Sequence, residues 1–227
     1  MTNLMDRLQN RIENKSLLTH PFYRAWQAGQ LTIQDLKIYA EQYYQFEANF
    51  PRLLSAIHSR CPDREVRQDI LSNLWDEEHG DHNHRAMWLD FCSNLGLDPE
   101  QVEISEVDTE TQALLDTYTD VCTNSNFQAG LAAIYAYEVQ VPQVAVEKIR
   151  GLKEFYGFDQ QDTIEFFQVH STLDEEHAHK EAEAILSMTG EADEFAVEAG
   201  LQRALDAWWV FLDGVEDRRR VLQSTRN

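Results

Sequence analysis

Leu4, Leu8 and Ile12 recur every four residues in an otherwise polar stretch, which predicts an amphipathic helix from Asn3 to about Lys15. Pro21 suits the first turn of a short second helix, where a missing N–H loses no partner, and Gly29 ends it. Thr32 and Asp35 have capping-box spacing and open a helix from Ile33 to Phe50. That helix is dense in aromatics (Tyr39, Tyr43, Tyr44, Phe46, Phe50), and Pro51 kinks or restarts it before it runs on to Ser59. After a turn at Cys61–Asp63, Arg64 to Leu95 reads as one long helix, bent at Gly80 and closed by Gly96, with Gly96–Pro99 as a linker. Thr109–Cys122 is the next helix, broken at Thr123–Asn126. Phe127–Leu152 is more apolar, with Pro142 as an internal kink. Two further helices span Asp159–Leu186 and Asp193–Leu222, leaving Gln223–Asn227 as a frayed tail. No β alternation, repeat or domain boundary interrupts the pattern. The expected fold is all-α: residues 1–227 as a single compact domain, a bundle of about seven to nine helices.

Composition narrows the partners. The 227 residues carry a formal net charge of −21, which opposes nucleic acid or an anionic membrane surface, because both need clustered Lys and Arg. No apolar run is long enough to span a bilayer, and the opening Met1–Asp6 is polar and lacks the character of a signal peptide. Cys61, Cys92 and Cys122 are odd in number and far apart, as expected of reduced, buried thiols in a cytoplasmic protein. Oligomeric state stays open: the apolar run Ala207–Leu212, with Trp208, Trp209 and Phe211, suits either a core or a homodimer surface.

The chemistry concentrates in three segments. His170, Asp174 and His177 are spaced by four and three, and at about 100° per residue their side chains point within roughly 60° of one another. Imidazole, carboxylate and imidazole on one helical face can grip a first-row transition metal; alone, the stretch reads as readily as an acidic helix surface. Glu77 and His84 are seven residues apart, two turns of one helix, and share a face to within about 20°. Glu138 is a lone carboxylate in the apolar run Leu131–Pro142. Such a group is costly unless it is paired, bound to a cation or hydrogen-bonded to a nearby tyrosine. Together these are three carboxylates and three imidazoles, enough for two metal ions. Mixed oxygen and nitrogen ligation suits iron or manganese and exceeds the tetrahedral need of zinc. By helical phase His79, His82 and His179 drop out, and Glu175 and Glu176 face away.

Glu77-x6-His84, then Glu138, then His170-x3-Asp174-x2-His177 resembles the haem-oxygenase-like di-metal oxidases, related in fold to the TenA and PqqC proteins and nearest to the CADD-like branch (chlamydia protein associating with death domains). The likeness extends from His20–Tyr23 through Asn73–Gly80 and Tyr135–Glu138 to His170–His177. It implies two bound metal ions, Fe and/or Mn, with O2 and an external electron donor as co-substrates. It also implies synthesis of p-aminobenzoate (4-aminobenzoate), for folate, from a tyrosine of the protein's own chain. The matching positions are Tyr23 as the sacrificed residue, Lys148 as amino donor and Tyr39 as a relay for electrons or a radical. A phenoxyl radical weakens the link between ring and side chain, and an amine donor must be neutral, which burial promotes. Where the family pattern places a tyrosine four residues before His170, this chain has Phe166.

Without the resemblance, Tyr23 also reads as a core aromatic beside Phe22 and Trp26, Lys148 as a surface charge, and Tyr39 and Tyr137 as packing residues. Two other functions stand beside the first. One is oxidation of an external fatty acid or amine at the same metal site. The other is a metal-free TenA-like hydrolase, which needs a nucleophilic cysteine, or an interaction protein. Nothing in the sequence encodes binding of a death domain.

Overall fold

The computed structural model describes residues 3–224, and among them every regular element is helical. Helix α1 (Leu4–Asn14) is capped by Asn3, whose Oδ1 accepts from the Asp6 amide at 2.8 Å, and it buries Leu4, Leu8 and Ile12 as predicted. A 3-10 turn at Leu17–Thr19 leads to α2 (Pro21–Gln27), which carries Tyr23. Its cap is a histidine: His20 Nδ1 accepts from the Phe22 amide at 3.2 Å, while Nε2 donates to Asp213 at 3.1 Å. Helix α3 (Ile33–Glu47) opens on the predicted Thr32/Asp35 capping box.

Three of the predicted helices are each two. The first ends at Glu47, and α4 (Phe50–Arg60) starts afresh with Pro51 in its first turn, so Pro51 restarts the chain. The stretch Arg64–Leu95 divides into α5 (Arg64–Glu78) and α6 (His84–Asn94). Gly80 lies between them at φ 84°, a left-handed conformation that makes a break where the sequence suggests a bend. Phe127–Leu152 divides into α9 (Phe127–Glu138) and α10 (Val141–Glu154), and Pro142 opens the second piece instead of kinking a continuous helix. The expected linker after Gly96 contains a short helix, α7 (Pro99–Glu103), capped by Asp98. With α8 (Thr109–Asn124), α11 (Gln161–Met188) and α12 (Glu194–Ser224), the described residues form twelve α-helices where seven to nine are expected. Of the expected frayed tail, Gln223 and Ser224 are helical, and Thr225–Asn227 lie outside the described residues.

Helix α9 packs against α8, α11 and α12, and eleven of its residues are buried on all sides, as expected of a helix without a polar face. Most of the run at Ala207–Leu212 is core: Trp208, Phe211 and Leu212 are buried and Trp208 stacks on Tyr137 at 4.9 Å, whereas Val210 is exposed. Cys61, Cys92 and Cys122 are free and buried. No described helix is long and apolar enough to cross a membrane. Helices α2 and α10 approach closely where Gly151 faces Trp26; a Cβ at Gly151 would lie 2.6 Å from that indole. Gly151→Ala is therefore expected to displace Trp26 and destabilise the protein by about 1–3 kcal/mol, measured by urea unfolding.

Candidate metal centre

Four ligand atoms, from Glu47, Glu77, His84 and His170, lie within 4.8 Å of one another, and all four residues are buried. They come from α3, α5, α6 and α11. The two-turn phase that joins Glu77 to His84 in the sequence does not exist in the fold, because the helix breaks between them. Asn83 instead caps α6 at its first residue, His84, and so turns that imidazole toward Glu77. Glu77 Oε2 and His84 Nδ1 stand 2.9 Å apart, yet neither has a hydrogen-bond partner. Two buried polar atoms that close and unsatisfied suit a common cation.

The remaining expected ligands border this cluster. Asp174 and His177 follow His170 along α11 and are buried, whereas His179, Glu175 and Glu176 are exposed, as helical phase requires. His79 and His82 are exposed too. Glu138, only 1% exposed, ends α9 and accepts from Asn73 Nδ2 at 2.8 and 3.2 Å. Asp174 Oδ2 and His177 Nδ1 are buried without partners. Backbone and carboxylate contacts set which imidazole nitrogen faces the centre. His170 Nδ1 donates to the Phe166 carbonyl at 2.7 Å, leaving Nε2 free to ligate. His177 Nε2 donates to Asp76 at 3.3 Å, leaving Nδ1. Phe166, where the family pattern has tyrosine, stacks on His170 at 4.0 Å and so holds the ring in place.

Burial raises the carboxyls of Glu47 and Glu77 to about 8, with neighbouring acids adding to the effect. Burial also pushes Asp174 well above its usual range, and Glu138 and Glu77 push it further. His84 and His170 are driven down by the same desolvation. Burial raises Glu138 and pushes Glu181, the next buried acid along α11, well above its usual range, with the neighbouring Glu138 carboxyl adding to the effect on Glu181. A divalent cation reverses this balance: it favours carboxylate anions and neutral imidazoles, which are the ligating forms. The donor set therefore fits iron or manganese.

Beside the metal cluster, Lys148 Nζ sits in a cage of aromatic rings. Tyr23, Tyr39, Tyr43, Trp88 and Phe167 have their centroids 4.7–5.7 Å from it. Burial lowers its ammonium to about 7, with the nearby Glu47 charge acting in the opposite sense. Lys148 belongs to α10, beyond the break after α9, so its distance in turns from Glu138 has no bearing on where it sits. Tyr23 Oη and Tyr39 Oη are hydrogen-bonded at 2.9 Å. Tyr39 meets Tyr43 at 5.4 Å between centroids, and Tyr43 Oη hydrogen-bonds Tyr137 Oη, one residue before Glu138. All four phenols are buried, and desolvation raises each of them.

The family described as iron-containing redox enzymes, haem-oxygenase-like in fold, matches residues 37–209. The chain belongs to that family. A 4-aminobenzoate synthase from Nitrosomonas europaea is 43% identical over 217 residues, covering 91% of this chain and 88% of the relative. Another from Chlamydia pneumoniae is 40% identical over 212 residues, covering 93% and 94%. Among solved structures, a TenA homologue from Pseudomonas syringae superposes with a TM-score of 0.82 at 16% identity, over 96% of this chain and 98% of that one. That likeness concerns the fold, which is the TenA-like all-α bundle expected from the sequence.

Glu47 is the acidic residue that helical phase misses. It ends α3, after Tyr43, Tyr44 and Phe46. The signal that singled out Glu138, a lone carboxylate in an apolar run, is absent here, because Glu41, Gln42 and Gln45 share the stretch. Asn73, Asp76 and Glu181 carry no such signal, since their roles depend on contacts between helices.

Proposed function

We propose that this chain is an oxygen-dependent di-metal oxidase, a single domain, that makes 4-aminobenzoate from its own Tyr23 with Lys148 as nitrogen source. The placement of a buried, neutralisable amine 5.6 Å from the Tyr23 ring, next to a cluster of metal ligands, carries this reading. Relatives at 40–43% identity that are 4-aminobenzoate synthases support it. Glu47, Glu77, His84 and His170 would hold one ion, and Glu138, Asp174 and His177 the other. Iron or manganese bound there would supply the redox chemistry that activates O2, with an external donor as the source of electrons.

The residues around Tyr23 handle the proton and the nitrogen. Because burial keeps Tyr23 protonated, its oxidation must release a proton, and Tyr39 Oη, hydrogen-bonded to it at 2.9 Å, is placed to relay it, accepting that proton as it passes its own O–H proton on. The contacts Tyr39–Tyr43–Tyr137 link that phenol to the end of α9, where Glu138 stands. Lys148, neutral above about pH 7, presents an amine to the ring. The product has seven carbons: six in the ring and one carboxylate. Breaking the bond between ring and side chain would release too few, so the Cα–Cβ bond must break, with O2 as the oxidant that turns Cβ into the carboxylate carbon. The ring carbon–oxygen bond breaks and its oxygen leaves as water as the Lys148 nitrogen bonds in its place, and the Lys148 Cε–Nζ bond then breaks to free the product.

Two alternatives lose support. A TenA-like hydrolase needs a nucleophilic thiol, but burial raises Cys92 and Cys122 to about 12, and raises Cys61 as well. For an external substrate, the cavity that touches His177 measures about 20 Å3, too small for a fatty acid.

The test is to load the protein with Fe(II) and Mn(II) under reducing conditions, admit O2, and follow product and intact mass together. A single equivalent of 4-aminobenzoate per chain is expected, with loss of the tyrosine side-chain mass at position 23. Continuous turnover of an added compound at unchanged chain mass would refute the reading. Glu47→Gln should weaken binding of the first ion by about 10–100-fold, read by metal titration.

A further inference from the structure

We propose that the small apolar cavity between α4, α5, α9 and α11 is the path by which dioxygen reaches the metal centre. This rests on the oxygen-dependent reaction proposed above. The cavity is walled by Leu54, Ile70, Leu131 and Ala184, and His177 and Glu181 form its inner end. Half-buried Asp69 and Lys180 line it as well and give it an outer rim.

Size and polarity name the occupant. The volume is about 20 Å3, and on that measure a water needs about 10–15 Å3, so a diatomic molecule fits and an aromatic ring does not. Asn73 lines it too, but the surface the cavity exposes is mostly aliphatic, and dioxygen dissolves better in hydrocarbon than in water. The polar end is also the productive one: His177 Nδ1, the nitrogen left for a metal, is buried there without a partner. A molecule leaving the inner end of the cavity therefore meets the ion held by Glu138, Asp174 and His177. A cavity of this size admits the oxidant while keeping larger oxidisable compounds from the reduced centre. It also agrees with a substrate supplied by the protein itself.

Dioxygen is its own probe, because it is paramagnetic. Methyl relaxation is measured by NMR on metal-free protein under nitrogen and under oxygen pressure. The methyls of Leu54, Ile70 and Leu131 should show larger oxygen-dependent enhancement than equally buried methyls remote from the cavity, such as those of Leu8 and Leu205. Ala184→Leu should abolish the excess, and Ala184→Val, a milder change, should reduce it. In Fe(II)-loaded protein the same variants should slow oxidation of the centre at low O2 several-fold, with metal content unchanged. Equal enhancement at cavity and remote methyls would overturn the proposal, as would an unchanged oxidation rate in a variant that has lost the excess. Failure to bind metal or form product would instead sink the reaction proposed above, leaving the relaxation result intact.

Discussion

Tyr23→Phe protein is expected to form no 4-aminobenzoate while keeping its fold and its full complement of metal. Phenylalanine retains the ring and its contacts with Phe22 and Tyr39, so packing is preserved. What disappears is the phenol oxygen, and with it the oxidisable O–H and the carbon–oxygen bond at which nitrogen is exchanged. Tyr39 Oη loses its hydrogen bond to Tyr23, which costs about 1–3 kcal/mol for a buried group. Chromatography for product, metal analysis and intact mass, all on one preparation, decide the matter. A full yield from this variant would remove Tyr23 as the source. Tyr39→Phe provides the contrast. It leaves Tyr23 oxidisable but without its proton acceptor, so the reaction should slow by about 10²–10⁴-fold and still consume Tyr23.

Lys148→Met should abolish product and at the same time stabilise the protein. The lysine ammonium titrates at about 7 in the fold against an ordinary 10.5, with burial the main cause. The unfolded chain therefore binds the proton more tightly, and stability rises with pH between about 7 and 10.5. Below about 7 the folded state carries the full penalty, on the order of 5 kcal/mol for this shift. Methionine fills similar space without charge, so the gain in urea-unfolding free energy should be large near pH 6–7 and vanish above about pH 10.5. The same titration governs the wild-type rate. Only neutral amine donates nitrogen, so product formation should fall about tenfold per pH unit below about 7 and level off above it. Bound metal ions, being positive, move that midpoint lower. A methionine variant that retains activity would exclude Lys148 as donor.

Much of the centre is legible in one dimension because α11 is continuous. His170, Asp174 and His177 share a face by the pitch of the helix alone, and the same phase removes His179, Glu175 and Glu176. Glu138 is legible for an energetic reason, since an isolated carboxylate in an apolar helix needs a partner. Glu47 does not meet that criterion: Glu41, Gln42 and Gln45 share its stretch, and a helix crowded with tyrosines gives it many conceivable hydrogen-bond partners, which hides the need for a cation. The pairing of Glu77 with His84 is correct for a reason the sequence does not contain. Helical phase presumes continuity, and Gly80 removes it.

The sequence by itself determined the all-α class, the amphipathic faces, the capping box at Thr32 and the shared helical face of His170, Asp174 and His177. Each depends on interactions within a few turns of one helix. Only the tertiary structure decided that Arg64–Leu95 and Phe127–Leu152 are broken and that Glu47 joins the acidic cluster. It alone directs His177 Nδ1, by way of Asp76, toward the centre, and it alone encloses Lys148 in rings from α2, α3, α6 and α11. Those outcomes come from contacts between helices far apart in the chain. There, burial rather than periodicity sets which carboxyls hold protons and which amine is neutral.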